Sequence, residues 1–388
     1  MKKTLDFSNE EYNSRIKSAQ QLLVDKEMNF LLLSQSENLI YLTGYRTILY
    51  ASKFRPFLAV IPKEGEPVLI LPVLEKGVGE KTSFYEDIRT WGTIPGVAGP
   101  DPISVAKDVI AEKKLENGKA GIELGMGQRL GMTFEQFKEL QESVPKIQFE
   151  DCSSIMWKLR MVKSPQEIAY IKEACRITDL ACQKAIAASE EGRSEIEIQR
   201  ILGQTMMEEG ADVPGFLVVA SGVDRYDMIN PYATQRKFEK GDMVNLDIGA
   251  IYKSYWSDLT RGYFIGQVTD RQKAFYEAAL EINQAAIEAV KPGIPVSDVD
   301  KAAEDTIDKL GYRDYMLHRT GHSLGLEVHE LPSIAPGDET PLAPGIICTI
   351  EPGIYDFDIG AFRIEDTIVV TETGYEYLTN SPRELQVR

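Results

Sequence analysis

The second half of this chain repeats its own order of elements, and that repetition limits what it can fold into. Ser164-Pro165-Gln166-Glu167 predicts a helix start: serine can cap, proline suits the first helical position, and the glutamate completes a capping box. Behind it Ile168, Ile171, Cys175, Thr178, Cys182 and Ile186 recur at steps of three and four, one face of an amphipathic helix. A turn at Gly192 and a second helix from Ser194 to near Gly210 follow, then the strand-like segments GFLVVASG, MVNLDIGAIY and SDLTRGYFIG. The same order then returns. Thr269 begins a long helix, Pro292-Gly293 turns the chain, Ser297 can cap a second helix, and Gly311 ends it before GIICTIEPGIY and FRIEDTIVVTETG. Gly192 and Gly210 are spaced like Gly293 and Gly311, at an offset of 101, and DIGAIY resembles EPGIY at an offset of 104. An internal duplication of a helix–helix–strands unit explains the ordered set. It predicts one C-terminal α+β domain, with two pseudo-equivalent halves around a shared sheet.

Ahead of it, residues 1–158 alternate helical and strand patterns. Glu11 to Glu27 reads as a helix, NFLLLS as a buried strand, and RPFLAVIP and PVLILP as a strand pair around Lys63-Glu64-Gly65. This predicts a smaller α/β domain, followed by the duplicated domain over 159–388. Its aromatic and basic stretch YLTGYRTILYASKFRP holds Arg46, Tyr50 and Arg55.

Charge and composition remove several function classes. With 60 Asp+Glu against 43 Lys+Arg the formal net charge is −17, opposite to what phosphate binding requires. No apolar run reaches the roughly 20 residues that span a bilayer. The opening MKKTLDFSNEEYN lacks the apolar core of a secretory signal. Four scattered cysteines without CxxC spacing fit reduced thiols. A cytoplasmic protein with no nucleic-acid or membrane partner is the expectation.

The chemistry-bearing residues fall in the strand-like segments of both halves. Asp247 and Asp258 stand in the first, Glu351 and Glu365 in the second, each beside apolar neighbours where a bare anion is expensive to bury. All three histidines, His318, His322 and His329, lie within HRTGHSLGLEVHE, and the spacing is not the HExxH zinc pattern. If one imidazole joins the four carboxylates, the donor set is hard and oxygen-rich, suited to Mn²⁺, Co²⁺, Fe²⁺ or Zn²⁺. Four carboxylates balance two divalent ions, which favours a two-metal site holding a water or hydroxide between the ions. Trp256, beside Asp258, reads as sheet packing.

LDIGA, SDLTR, TGHSLGLEVHE, TIEPGIY and RIEDT together resemble, in order, the signatures of the pita-bread metallopeptidases. That family includes Xaa-Pro dipeptidases, Xaa-Pro aminopeptidases, methionine aminopeptidases and the non-peptidase creatinase. The resemblance implies a creatinase/prolidase-like N-terminal domain over 1–158 and a pseudo-symmetric pita-bread catalytic domain over 159–388. It also implies two divalent ions per subunit, with manganese first among the candidates, held by Asp247, Asp258, His322, Glu351 and Glu365. Asp258 and Glu365 would bridge the ions. Glu351 would accept a proton from the attacking water, and His329 would donate a hydrogen bond toward the scissile carbonyl. His318 would shape the substrate pocket, and Arg363 would anchor the carboxylates. A homodimer is implied as well, in which Arg46, Tyr50 or Arg55 could meet the partner's substrate.

One position departs from the family pattern. Proline-specific members usually carry a histidine about a dozen residues before the GD that precedes the first metal-binding strand. Here MINPYATQRKFEKGD puts Asn230 there; asparagine can donate a hydrogen bond but carries no proton or charge. The expected activity is hydrolysis of Xaa-Pro dipeptides or short Xaa-Pro peptides by a metal-bridging hydroxide. Asn230 keeps open a non-peptidase hydrolase or lyase of a small zwitterionic compound. A catalytically silent binding module is the third reading, against which all five ligand positions are retained.

Overall fold

Residues 3–388 are described in this structure, a computed structural model, and the chain divides into two units at Arg160. In the first unit the elements run α1 (Asn9–Asp25), β1 (Phe30–Leu33), α2 (Ser36–Thr43), β2 (Leu58–Pro62), β3 (Val68–Pro72) and α3 (Lys76–Thr82). They continue with β4 (Asp87–Trp91), α4 (Pro102–Glu112), β5 (Gly118–Ile122), α5 (Phe134–Ser143), β6 (Ile147–Asp151) and α6 (Ser153–Arg160). The six strands form one mixed sheet in the order β4-β3-β2-β1-β5-β6. β2 and β3 are the expected antiparallel pair, with Leu58 opposite Ile70. Continuous apolar runs in β1, β2 and β3 are buried at every position, as a sheet covered on both faces requires.

The second unit opens with α7 (Pro165–Ala188) and α8 (Glu195–Glu208). Next come β7 (Val213–Ser221), β8 (Met243–Tyr252), β9 (Tyr255–Trp256) and β10 (Leu259–Phe264). The order repeats with α9 (Asp270–Ala289) and α10 (Val296–Leu310). After these come β11 (Gly321–Ser323), β12 (Glu330–Ile334), β13 (Ile347–Ile350), β14 (Gly353–Asp356), β15 (Gly360–Arg363), β16 (Asp366–Val370) and β17 (Tyr375–Tyr377). Ser164 caps α7 with Glu167 in a capping box, and Thr269 with Gln272 does the same for α9. Each helix pair covers its own strands. Ile177, Cys182 and Leu202 pack on Leu246 and Leu259 in the first half; Ile282, Val299 and Ile307 pack near Ile350 and Ile368 in the second. Burying each such side chain contributes about 1.5–3 kcal/mol.

The α+β class expected from the sequence is therefore the one observed, with two corrections of detail. The strands of the second unit are not one shared sheet. They form a four-stranded sheet (β7 to β10), a five-stranded sheet in the order β12-β11-β13-β16-β17, and the pair β14–β15. At the seam the halves are joined by single bonds rather than a ladder: Glu365 N donates to Thr260 O at 3.3 Å, and Thr367 Oγ1 donates to Asp258 O at 2.8 Å. Ser297 does not cap α10, which starts at Val296 with Pro295 before it. The first amides of that helix find carbonyls instead, Val296 N on Thr340 O and Ser297 N on Asp338 O, so no serine cap is needed.

Candidate metal centre

The seam between the halves gathers the acidic side chains. Asp247 lies inside β8 opposite Thr260, whereas Asp258, Glu351 and Glu365 each stand one residue outside a strand end. The strand placement expected for all four thus holds in full for Asp247 alone; at an end, a carboxylate is free to leave the pleat and turn toward the seam. His322 sits in β11 opposite Thr349. β11 can approach β13 this closely because Gly321 has no side chain: a Cβ there would lie 2.0 Å from Thr349 O.

These groups converge. His322 Nε2 lies 3.6 Å from Asp258 Oδ2 and 3.3 Å from Glu351 Oε1. Asp258, His322 and Glu365 each present a donor atom within 4.8 Å of the other two. Asp247 pairs with the Arg363 guanidinium, whose Nε donates to Thr260 Oγ1 at 3.1 Å and lies 3.9 Å from Glu351 Oε2. Thr260 Oγ1 in turn donates to Glu365 Oε2 at 2.8 Å. All five predicted ligand positions are therefore gathered around Arg363 and His322; Asp258, His322 and Glu365 are buried, while Asp247 and Glu351 are partly buried at the cavity wall. His322 Nδ1 meets Ser323 O at 3.0 Å. A carbonyl only accepts, so Nδ1 carries the hydrogen and Nε2 faces the carboxylates.

The electrostatics call for a cation. Burial first, then the charges of Glu365, Asp247 and Glu351, push the Asp258 carboxyl well above its ordinary range. Glu365 is pushed well up by the same burial and by Glu351 and Asp247; burial also raises Asp247, against the opposing pull of Arg363. Glu351 differs. Burial opposes its ionisation, yet His322 in its doubly protonated form, whose Nε2 can then donate to it and whose charge attracts it, together with Arg363 holds it down at about 2. Two buried oxygens, Asp258 Oδ1 and Glu365 Oε1, have no hydrogen-bond partner among the described residues. Buried carboxylate oxygens are rarely left so unless something else supplies positive charge. Two carboxylates with unpartnered oxygens, clustered with an imidazole, are a donor set that a hard divalent cation fits.

Beside this cluster opens a cavity of about 930 Å³, with Asp247, Asp258, His322, Glu351 and Arg363 in its wall. His329 is also in that wall, solvent-accessible, its ring centroid 4.3 Å from that of His322. Burial of its ring by the surrounding wall, then His322 and Arg319, push it down to about 4. His318 is lowered chiefly by burial; it shares a 2.6 Å hydrogen bond with Tyr355 Oη, which accepts from Arg363 Nη1 at 3.1 Å. Asn230 is exposed and lines the same cavity. Trp256 does more than pack: its indole stacks near Phe216, centroids 6.3 Å apart, and also faces the cavity. Arg46 belongs to the first unit, where it pairs with Asp6 at 2.9 Å. Sequence reasoning passed over Thr260 and Tyr355, although both lie in motifs it singled out, SDLTR and TIEPGIY.

Comparison with known proteins agrees with this geometry. Residues 169–372 match metallopeptidase family M24, and residues 15–162 match the creatinase/prolidase N-terminal domain. A curated Xaa-Pro dipeptidase of Pyrococcus horikoshii is 32% identical over 376 residues, covering 96% of this chain and 99% of that protein. Among solved structures, an Xaa-Pro dipeptidase from Bacillus anthracis is 30% identical with a TM-score of 0.87, covering 97% of this chain and 100% of the other. An X-Pro aminopeptidase from Thermotoga maritima is 28% identical with a TM-score of 0.81, covering 95% and 98%.

Proposed function

Because this chain belongs to metallopeptidase family M24, with a creatinase/prolidase N-terminal domain ahead of its catalytic one, we propose that it is a metal-dependent Xaa-Pro dipeptidase. The observation that carries the reading is the buried cluster of Asp258, His322 and Glu365, with two carboxylate oxygens awaiting a positive partner. Asp247, Asp258, His322, Glu351 and Glu365 would hold two divalent ions, manganese being one the hard donor set accommodates. Such ions, when bound, polarise a carbonyl and make water acidic enough to act as a nucleophile near neutral pH.

The residues of this chain supply the rest. Glu351, ionised at neutral pH, takes the proton of the attacking water on a carboxylate oxygen. His329, neutral there too, donates its N–H toward the carbonyl oxygen as negative charge builds on it. Arg363 holds Asp247 and, through Tyr355, fixes His318 at the cavity wall. Tyr355 Oη accepts from Arg363, so its own hydrogen goes to His318 Nε2, and His318 Nδ1 donates to Arg319 O. Asn230, in the wall of the same cavity, offers the substrate an amide that can hydrogen-bond but cannot carry a proton.

The acidic surface and the absence, among described residues, of any helix long and apolar enough to cross a membrane fit a small peptide substrate better than a nucleic acid or a bilayer. Four buried free thiols support a reducing, cytoplasmic setting, and the family resemblance supports a homodimer. Hydrolysis of Ala-Pro and Gly-Pro with added Mn²⁺ or Co²⁺ tests the assignment. Activity is expected to vanish with chelator and to fall at least about 100-fold in Asp258→Asn. Turnover indifferent to both would refute it.

A further inference from the structure

We propose that the buried ion pair of Lys163 and Glu330 is a positioning device for His329, an inference that rests on reading the site as a peptidase centre. Lys163 Nζ lies 3.1 Å from Glu330 Oε2, and each side chain is only 1% exposed. Neither residue belongs to the metal cluster or lines the cavity wall described above. Replacing a buried ion pair by apolar groups is often neutral or favourable, so stability alone does not account for keeping one here.

What the pair grips does account for it. Glu330 directly follows His329, and its Oε1 accepts from Leu326 N at 2.9 Å and Glu327 N at 3.2 Å. The turn over 324–327 is thus wrapped around the carboxylate. Gly325 makes room for it, because a Cβ there would lie 2.7 and 2.8 Å from the two oxygens. The other side of the turn is fastened by Trp256, whose backbone N donates to Gly325 O at 2.8 Å and whose indole Nε1 donates to Leu326 O at 3.0 Å. Lys163 also reaches Ser323 Oγ at 3.4 Å, one residue beyond His322. The segment between the two histidines is therefore tied at both ends to one lysine. Its two rings end 4.3 Å apart. Lys163 supplies the charge that lets the carboxylate remain buried as an anion, and the anion in turn sets the backbone from which His329 projects.

The test pairs kinetics with a spectroscopic signal. The chain holds three histidines, so ¹⁵N imidazole resonances can be assigned by single variants and followed whether or not the protein turns over. In Glu330→Gln, the His329 resonance is expected to move and broaden while that of His318 stays in place. With Ala-Pro as substrate and manganese added, kcat should fall about 10- to 100-fold with KM little changed. The loss should shrink to within about 3-fold when Glu330→Gln is made in a His329→Ala background, as coupled residues behave. Should Glu330→Gln fail to fold, Glu330→Asp keeps the charge but shortens the reach, and the same resonance shift is expected from it. An unchanged His329 resonance in the folded variant overturns the proposal, as does an equal fold-loss with and without His329. Wild-type protein that turns over no Xaa-Pro dipeptide would instead strike at the peptidase reading, leaving the resonance to decide on the positioning role.

Discussion

His329 and Glu351 are both pushed toward the protonation state their proposed roles need. Partial burial in the cavity wall, then His322 and Arg319, push His329 down to about 4, while His322 and Arg363 hold Glu351 at about 2. Divalent ions at the centre act in the same direction on both, since positive charge disfavours imidazolium and favours carboxylate. The profile of kcat/KM is therefore expected to show no limb near pH 6.5 belonging to His329. A limb there that disappears in His329→Gln would contradict this. The same shift has a stability consequence. Between pH 6.5 and 4 the unfolded chain takes up a proton that the folded one refuses, so this histidine's contribution falls as pH falls through that window. A denaturant titration across it, compared with His329→Gln, measures the difference. At this scale the sequence was informative wherever a residue type was scarce. Three histidines in twelve positions could be read at once as a site, whereas Asn230, one asparagine among ordinary loop residues, stood out only against the family pattern, and the cavity puts it in the wall beside the cluster.

Elements carry their signals locally, and those signals were legible where the partner lies a few residues away. Ser164 with Glu167, and Thr269 with Gln272, are capping boxes in sequence and in structure. Gly311 ends α10 in a left-handed conformation, φ 79°. Ser297 misled because the start of α10 is served by carbonyls of Asp338 and Thr340, some forty residues on. Thr260 and Tyr355 were missed for the same reason: what makes them functional is a contact across the seam, Thr260 with Glu365 and Tyr355 with His318. Gly321 belongs at this scale too. A methyl group at this position in β11 meets Thr349 O at 2.0 Å, so Gly321→Ala must push β11 off β13 and carry His322 with it. The expected cost is about 1–3 kcal/mol in a urea melt, with weaker metal retention alongside. Wild-type metal retention in that variant would show that β11 can shift without disturbing the centre.

For the whole catalytic unit, the cluster trades stability for function. Asp258 and Glu365 are driven up by burial and by one another's neighbours, and each leaves an oxygen without a partner among described residues. In chelator, the double variant Asp258→Asn/Glu365→Gln is expected to be more stable than wild type, on the order of 1–3 kcal/mol, because two buried carboxyls that are costly to ionise are gone. Metal at about 100 times its Kd should then stabilise wild type by about 2.7 kcal/mol and the variant hardly at all. Equal metal responses in the two proteins would remove the cluster from any metal-binding role. Duplication shows here as well: α7 with α8 and α9 with α10 cover separate sets of strands, yet the acidic side chains of one half meet an imidazole from the other.

That division of labour has a temporal side. Synthesis delivers Asp247 and Asp258 well before His322, Glu351 and Glu365, and no fragment short of Glu365 contains the full set. A chain still short of Glu365, or either half on its own, consequently lacks part of the acidic cluster, so the centre can assemble only late in elongation.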